Sequence, residues 1–471
     1  MNIRRPAAAV AAVALVYALA QLALVGIDRE PEWDEAVYIT QVAPDAPAAD
    51  FAAHRARGMT LVIAPTAAAG LDTSATRLLL VVVSSVLLAT AFGAWIPLIG
   101  WAAPLAAGLF AATWMSLFYG SAVSPNLFGA LLAVLAIGLV LRHTLQPATV
   151  LVVGAASMIG ALTLLRPLDG AMTLVVAIGV VWWKARTEFA RRTAALVAGF
   201  FAGTLPWIVE AFARFGDPFQ RLEYARGPVD AGPTFTVFEH LRMLDGRALV
   251  GPDPTQTVSR GALLALLVGI GLGVVAIISA RSSARSRSAV VVGAGGAILL
   301  ALPYLVWVGA TAPRFLFPAF ALAAIPTGIG LLAIIKNGNR IALAGMIVLL
   351  AVVITWHVDQ VRAVDHRETV AAQERHDVGV VLAEASDGPC AFASQFGYPQ
   401  VQLASGCHGL RFDPADPEAA YEFLRGSHSE GFDSYLAVTS EPAGLLEQGE
   451  WAPMPTGVGS WTIYQYLGAE G

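Results

Sequence analysis

Between Glu30 and Gln41 the chain reads Glu-Pro-Glu-Trp-Asp-Glu-Ala-Val-Tyr-Ile-Thr-Gln, which places Glu30, Glu32, Asp34 and Glu35 within six positions. Carboxylates at that density can take protons from hydroxyls or gather cations, and a solvated acidic loop has the same composition. From Asp34 onward the pattern fits a short amphipathic helix with Trp33 and Tyr38 at headgroup level. A second set of candidates is cationic. Arg166, in Leu165-Arg166-Pro167-Leu168-Asp169, and Arg314, in Ala312-Pro313-Arg314-Phe315, stand in proline-flanked turns. A guanidinium is a rigid fork matched to phosphate oxygens, so fixed arginines suit the charge of a departing phosphate. Arg166 has a plainer use as the partner of Asp169 or as a helix-end side chain that snorkels to headgroups. His54, Arg55 and Arg57 form a third group, fit either to line an anionic pocket or to meet anionic lipid.

Other chemistries lack their signatures. The eight histidines are scattered, and neither His-Glu-x-x-His nor Cys-x-x-Cys spacing occurs. No metal site or cofactor is therefore expected, although the acidic loop has the ligand type for Mg²⁺ or Ca²⁺. There is no Walker-type glycine loop and no serine nucleophile elbow, and no nucleic-acid partner is expected. Cys390 and Cys407 are the only cysteines, with sixteen residues between them. In an oxidising compartment they read as a disulfide, with two free thiols as the alternative.

The elements that must position these residues are apolar. Hydrophobic residues make up 56% of the 471 and charged residues 13%, about half the usual charged share. Runs of spanning length fall near 7–27, 76–98, 101–120, 124–142, 148–165, 168–183, 193–212, 261–280, 289–309, 315–335 and 340–356. In lipid each must satisfy its own backbone, so each is expected to be a helix, about eleven in all. The first run, Ala7 to Ile27, is long enough to span and reads as a retained helix, not a cleaved signal. With the N-terminus in the cytoplasm, one set of connections carries Arg4, Arg5, Arg142, Lys184, Arg186, Arg191, Arg192, Arg281, Arg285, Arg287, Lys336 and Arg340, with Glu188 their one acid. The opposite connections, including the long loops 28–75 and 213–260, hold nearly all the acids, so the topology reads N-in and C-out in a plasma or inner membrane. The fold class expected is a polytopic α-helical membrane domain over 1–356 and a small extracytoplasmic α/β domain over 357–471. In the latter, helical patterns (Glu368 to Ala385; Pro417 to Arg425) alternate with apolar runs (Ala391 to Phe396; Tyr435 to Thr439; Trp461 to Tyr466).

An Asp-Glu pair just after the first span, followed by a small residue and an aromatic, resembles the first-loop motif of GT-C glycosyltransferases. The likeness is nearest to protein O-mannosyltransferases and lipid A aminoarabinose transferases. Ala312-Pro313-Arg314-Phe315-Leu316-Phe317-Pro318 is similar to the Arg-Tyr-aliphatic-aliphatic-Pro segment of that superfamily, with phenylalanine where tyrosine is usual. Ser124-Pro125-Asn126 resembles the polar-Pro-polar turn these enzymes place beside the donor site. The architecture of the whole spanning region agrees with the likeness.

What the resemblance implies is a multi-span enzyme that takes sugar from a polyprenyl-phosphate carrier and hands it to a glycan, lipid or protein acceptor on the outer face, with membrane lipids around it. Asp34 would be the base for the acceptor hydroxyl, and Glu35 would orient the loop or acceptor. Arg314, Arg166, Arg57 and Arg55 would face the donor phosphate, while Tyr38, His54, Asn126, Asp169, Tyr224 and Arg226 would line the substrate site. An outward-facing transferase needs a donor that can be flipped through the bilayer, which a lipid-linked phosphosugar is. A single displacement would invert the anomeric centre. A lipid-linked glycan polymerase or ligase is a second reading, and a lipid or glycan transporter or flippase, which would favour broken helices and mid-span charge, a third. The loop 213–260, with Tyr224-Ala225-Arg226-Gly227-Pro228 and a helix expected near Thr236 to Arg247, would shape the acceptor cleft or cover the site. The C-terminal domain is expected to bind acceptor, and its distance from the first-loop acids argues against a direct part in catalysis.

Overall fold

The computed structural model describes residues 3–246, 257–413, 416–440, 442 and 445–468. Among them, nine helices are long and apolar enough to cross a membrane: Arg4–Leu24, Thr73–Ile99, Pro125–Leu145, Pro167–Lys184, Arg186–Arg214, Arg260–Ser279, Ala284–Val306, Pro313–Lys336 and Arg340–Ala385. The other two expected spans are also helical but shorter. One is Thr149–Leu165; the other is divided into Ala102–Ala111 and Trp114–Tyr119 at Thr113, whose hydroxyl caps the second piece through the Ser116 N–H at 3.3 Å. The chain is a multi-pass membrane protein. It divides into two compact units, one of Met1–Gly26, Ala52–Met59 and Arg77–Asp365, the other of Ile27–Phe51, Thr60–Thr76 and His366–Gly471.

The first unit is the helical bundle. Its helices approach closely where side chains are smallest: a Cβ placed on Gly160 would lie 2.7 Å from the Gly199 carbonyl oxygen. Without a hydrophobic drive between helices in lipid, such backbone contact is how they hold together. Trp95 is fully buried and donates its indole N–H to the Val134 carbonyl at 3.1 Å. The last helix, Arg340–Ala385, runs for 46 residues, so no break falls at the 356/357 boundary drawn from the sequence, and the compact units part at Asp365.

The second unit is built on a five-stranded mixed sheet. Its strands are β1 (Cys390–Ser394), β2 (His408–Arg411), β3 (Asp433–Val438), β4 (Glu450–Met454) and β5 (Thr462–Gly468), in the order β2-β1-β3-β5-β4. β1 pairs parallel with β2 and β3, and β5 runs antiparallel to β3 and β4. β1 is buried along its whole length, which is why Cys-Ala-Phe-Ala-Ser shows no polar alternation. One core gathers Val378, Leu382, Phe392, Tyr435 and Ile463 with Ala49 of the first loop. The other gathers Leu424, Leu436 and Val438 with Tyr464 and Trp451 packed against them. Cys390 and Cys407 form the disulfide, with Cα atoms 4.7 Å apart, and so tie the start of β1 to the chain entering β2. Removing it with Cys390→Ser should cost this unit about 3 kcal/mol, the loop-entropy value for a closure of that length. Chemical unfolding followed by near-ultraviolet circular dichroism checks this, and an unchanged midpoint would contradict it.

Candidate functional site

The acidic loop belongs to the second unit. Its helix, Trp33–Thr40, starts at Glu32, an extended N-cap that forms a capping box with Glu35: the Glu32 N–H donates to Glu35 Oε2 at 3.0 Å. Glu35 is 1% exposed, and the buried Arg29 guanidinium lies 3.0 Å from Glu32 and 3.9 Å from Glu35. Glu35 therefore shapes the loop. Asp34 is half-buried in the first turn, where the helix dipole favours an anion. Tyr38 is buried edge-on to Phe51.

What holds this loop is the C-terminal sheet domain. Trp33 stands edge-on to Tyr398, ring centres 5.3 Å apart. The buried amides of Gln400 and Gln402 donate to the carbonyls of Pro31 (3.0 Å) and Pro47 (2.6 Å). His376 lies 3.3 Å from Glu30. The expected distance between the C-terminal domain and the first-loop acids is thus corrected. A separation of 369 residues along the chain is closed by packing, and the domain sets the conformation of the segment that bears Asp34.

In the first unit a polar cluster surrounds Arg166, which lies between the helices Thr149–Leu165 and Pro167–Lys184. Its Nε donates to Asp169 Oδ2 at 2.5 Å, one Nη to Asn126 Oδ1, and the other Nη to Tyr304 Oη at 2.8 Å. Tyr304 in turn donates to Asp169 Oδ1 at 2.6 Å, and Asn126 to Ser124 Oγ at 2.6 Å. The pairing of Arg166 with Asp169 allowed by the sequence is formed. Tyr304 stacks on Phe315, ring centres 5.4 Å apart and planes at 24°. The Arg166 guanidinium carbon is 5.9 Å from the Phe315 ring centre and that of the buried Arg314 is 5.6 Å from it. The structure thereby gathers Arg166, Arg314, Asp169 and Asn126 about one ring pair. Sequence reasoning missed Tyr304; a hydroxyl near the end of an apolar span, in need of a partner, was the available signal.

The basic group in the first loop is bound into a different network. Arg57 meets Glu210 at 2.6 Å, and Glu210 also meets Arg214 and Arg221 at 3.0 Å each. Arg221, another residue missed in the sequence, is fully buried and donates to the carbonyls of Ala53 (3.1 Å), Arg55 (3.0 Å) and Trp207 (2.7 Å). It staples the segment carrying His54, Arg55 and Arg57 to the helix Arg186–Arg214. Burial lowers the Arg221 pKa and the Glu210 carboxylate opposes that shift. His54 is exposed and Arg55 half-buried.

The helix Pro218–Arg226 carries Tyr224, 63% exposed and tilted against Phe215, and the exposed Arg226. Phe219, Phe235 and Phe238 are exposed nearby in sequence. The helix expected near Thr236 to Arg247 forms as Val237–Met243, and Arg247 lies outside the described residues. Among the described residues, no three or more His, Cys, Asp or Glu side chains group as metal ligands.

The cluster yields an ordering. Asp169→Ala leaves the Arg166 cation without its counter-ion and should cost about 3–5 kcal/mol, whereas Tyr304→Phe should cost about 1–3 kcal/mol for its lost hydrogen bonds. Thermal unfolding in nanodiscs would test this, and equal or reversed losses would break the network as described.

No protein-family model matches the sequence, and no curated protein matches it. Solved structures match its fold. The structure of ArnT from Cupriavidus metallidurans bound to undecaprenyl phosphate superposes with a TM-score of 0.67 at 15% identity, over 97% of each chain. The Archaeoglobus fulgidus oligosaccharyltransferase tethered to an acceptor peptide gives a TM-score of 0.55 at 10% identity, over 98% of this chain and 74% of that one. The arabinofuranosyltransferase AftD from Mycobacteria gives 0.56 at 15% identity, over 98% of this chain but 40% of that one. The fold is that of the GT-C glycosyltransferases.

Proposed function

We propose that this chain, built on the GT-C fold, is a membrane glycosyltransferase that moves a sugar from a polyprenyl-phosphate carrier to an acceptor hydroxyl on the outer face. The observation that carries the reading is the pair of guanidiniums, Arg166 and Arg314, about the Tyr304–Phe315 stack. It occurs in a chain whose fold matches, nearly end to end, a protein solved with undecaprenyl phosphate.

In the reaction, the acceptor oxygen attacks the anomeric carbon as the bond from that carbon to the phosphate oxygen breaks. The electron pair leaves with the phosphate, whose added charge Arg314 and Arg166 stabilise. The hydroxyl proton passes to Asp34, and the anomeric centre inverts. Asn126 and Asp169 hold the Arg166 fork at fixed geometry, which spares the reorganisation that a free side chain would need. Glu35 and Arg29 do the same for the loop that bears Asp34. Arg55, Arg57, His54, Tyr38, Tyr224 and Arg226 belong to the donor and acceptor surroundings in this reading, and the acceptor is a glycan, lipid or protein. The basic connections face the cytoplasm and the sheet domain the outside.

The test is release of polyprenyl phosphate by purified protein from a panel of polyprenyl-phosphate sugars, comparing wild type with Asp34→Asn. The variant should lose about 10²–10⁴-fold in turnover, the span assigned to a general base. A chelator should leave the wild-type rate unchanged. Full turnover by Asp34→Asn removes that residue as the base, and no turnover of any donor by wild type ends the proposal.

A further inference from the structure

On the edge of the sheet, β4 and β5 open a pocket of about 450 Å³ lined by Leu446, Gly449, Glu450, Trp451, Tyr464 and Leu467. Its size lies within the range of small-molecule sites. Trp451 stands opposite Tyr466 across the strand pair, ring centres 4.9 Å apart. Tyr466 is fixed in turn by Tyr421 and His428, each edge-on to it. Gly449 keeps the chain low over this floor, since a Cβ there would lie 2.7 Å from the Tyr466 ring. The Trp451 indole N–H is buried and has no acceptor among the described residues, whereas the neighbouring Glu450 is exposed.

These groups select a ligand class. An indole N–H only donates and a carboxylate only accepts, so a ligand that meets both must carry acceptors and donors side by side. A buried donor without an acceptor costs about 1–3 kcal/mol, which a ligand oxygen would recover on a rotation of the Trp451 side chain that brings the N–H to the pocket. Among the described residues no cation lines the pocket, and Glu450 repels anions. A cation would satisfy Glu450 and leave the indole unmet. Aromatic faces are electron-rich, and they attract the polarised C–H face of a sugar ring. A neutral sugar has hydroxyls that both donate and accept, and such a face. The edge of β4 would otherwise suit an added peptide strand, but Pro453 removes a donor from it and the register shifts between Glu450 and Trp451.

We infer that this pocket is a glycan-binding subsite that holds a neutral sugar unit of the acceptor, between Trp451, Tyr464 and Glu450. The inference rests on the transferase reading only for the word acceptor; the pocket and its chemistry are independent of it. Trp451 and Tyr464 supply the rings, Glu450 accepts from hydroxyls, and Gly449 keeps the floor clear.

The experiment uses the full chain in nanodiscs. Binding is measured by saturation-transfer NMR and equilibrium dialysis with neutral tetrasaccharides of glucose, mannose or arabinose, an anionic tetrasaccharide and a Ser/Thr-rich peptide. At least one neutral tetrasaccharide should bind in preference to the anionic sugar and the peptide. Trp451→Ala and Gly449→Val should each weaken it by about tenfold or more, equivalent to 1.4 kcal/mol, and Glu450→Gln by a smaller factor. Melting curves identify any variant that does not fold, and the remaining variants then carry the test. Absence of neutral-sugar binding, binding unchanged in the folded pocket variants, or preferential peptide binding overturns the inference. Donor cleavage on the same samples separates the two readings. Sugar binding without cleavage by wild type refutes the transferase and leaves the pocket, and cleavage without sugar binding does the reverse.

Discussion

A helix of eight residues does not stand alone in water, because nucleation costs more than so few hydrogen bonds return. The segment Trp33–Thr40 exists because its surroundings pay that cost. Glu32 and Glu35 cap it, the buried Arg29 places one positive charge beside the pair, Trp33 rests on Tyr398, and Gln400 and Gln402 donate to the Pro31 and Pro47 carbonyls on either side. The sheet exists partly to hold those donors still: β1 carries the chain to the turn before Tyr398–Ser405, and the disulfide closes the far side of that helix. In the proposed reaction the Asp34 carboxylate meets a hydroxyl at one geometry, which calls for a support of this kind, and the support comes from the far end of the chain.

Buried charge organises the bundle by the same logic. A guanidinium taken out of water is costly unless its donors and its charge are both met. Arg166 is met by Asp169, Asn126 and Tyr304, and Arg221 by three carbonyls and Glu210. Each network draws on separate helices or segments, so it fixes them to one another as well as satisfying a cation. Phe315 stands where the resemblance led one to look for a phenol, and the stacked Tyr304 brings a phenol to that ring from the preceding helix.

Much of this was legible in the sequence. The spans were, because a bilayer forces each long apolar run into a helix. The sheet domain was too, through β1, β3 and β5, whose residues form apolar runs. The outer strands β2 and β4 were not, since His408–Arg411 and Glu450–Met454 are short and half-exposed and carry no alternation to read. The boundary at 356/357 followed a real change from apolar to charged residues. The helix ignores that change, because Ala, Arg, Glu and Gln, which have high helical propensity, recur through 357–385 and no proline interrupts them. At the candidate site, Arg166 with Asp169 was readable at three residues' spacing. The clamp of Gln400 on Pro31 and the staple of Arg221 on Ala53 were not, for they join segments that nothing local connects.

The proposed reaction requires the acidic loop to be held in place by the sheet domain. Hydrogen exchange across residues 33–41, taken together with the transfer rate, tests that most directly in the pair of variants Tyr398→Ala and Gln400→Ala. Amide protection in the helix and turnover should fall together while exchange in the spanning helices stays unchanged. Full turnover with the helix unprotected would contradict it, as the carboxylate would then need no such support.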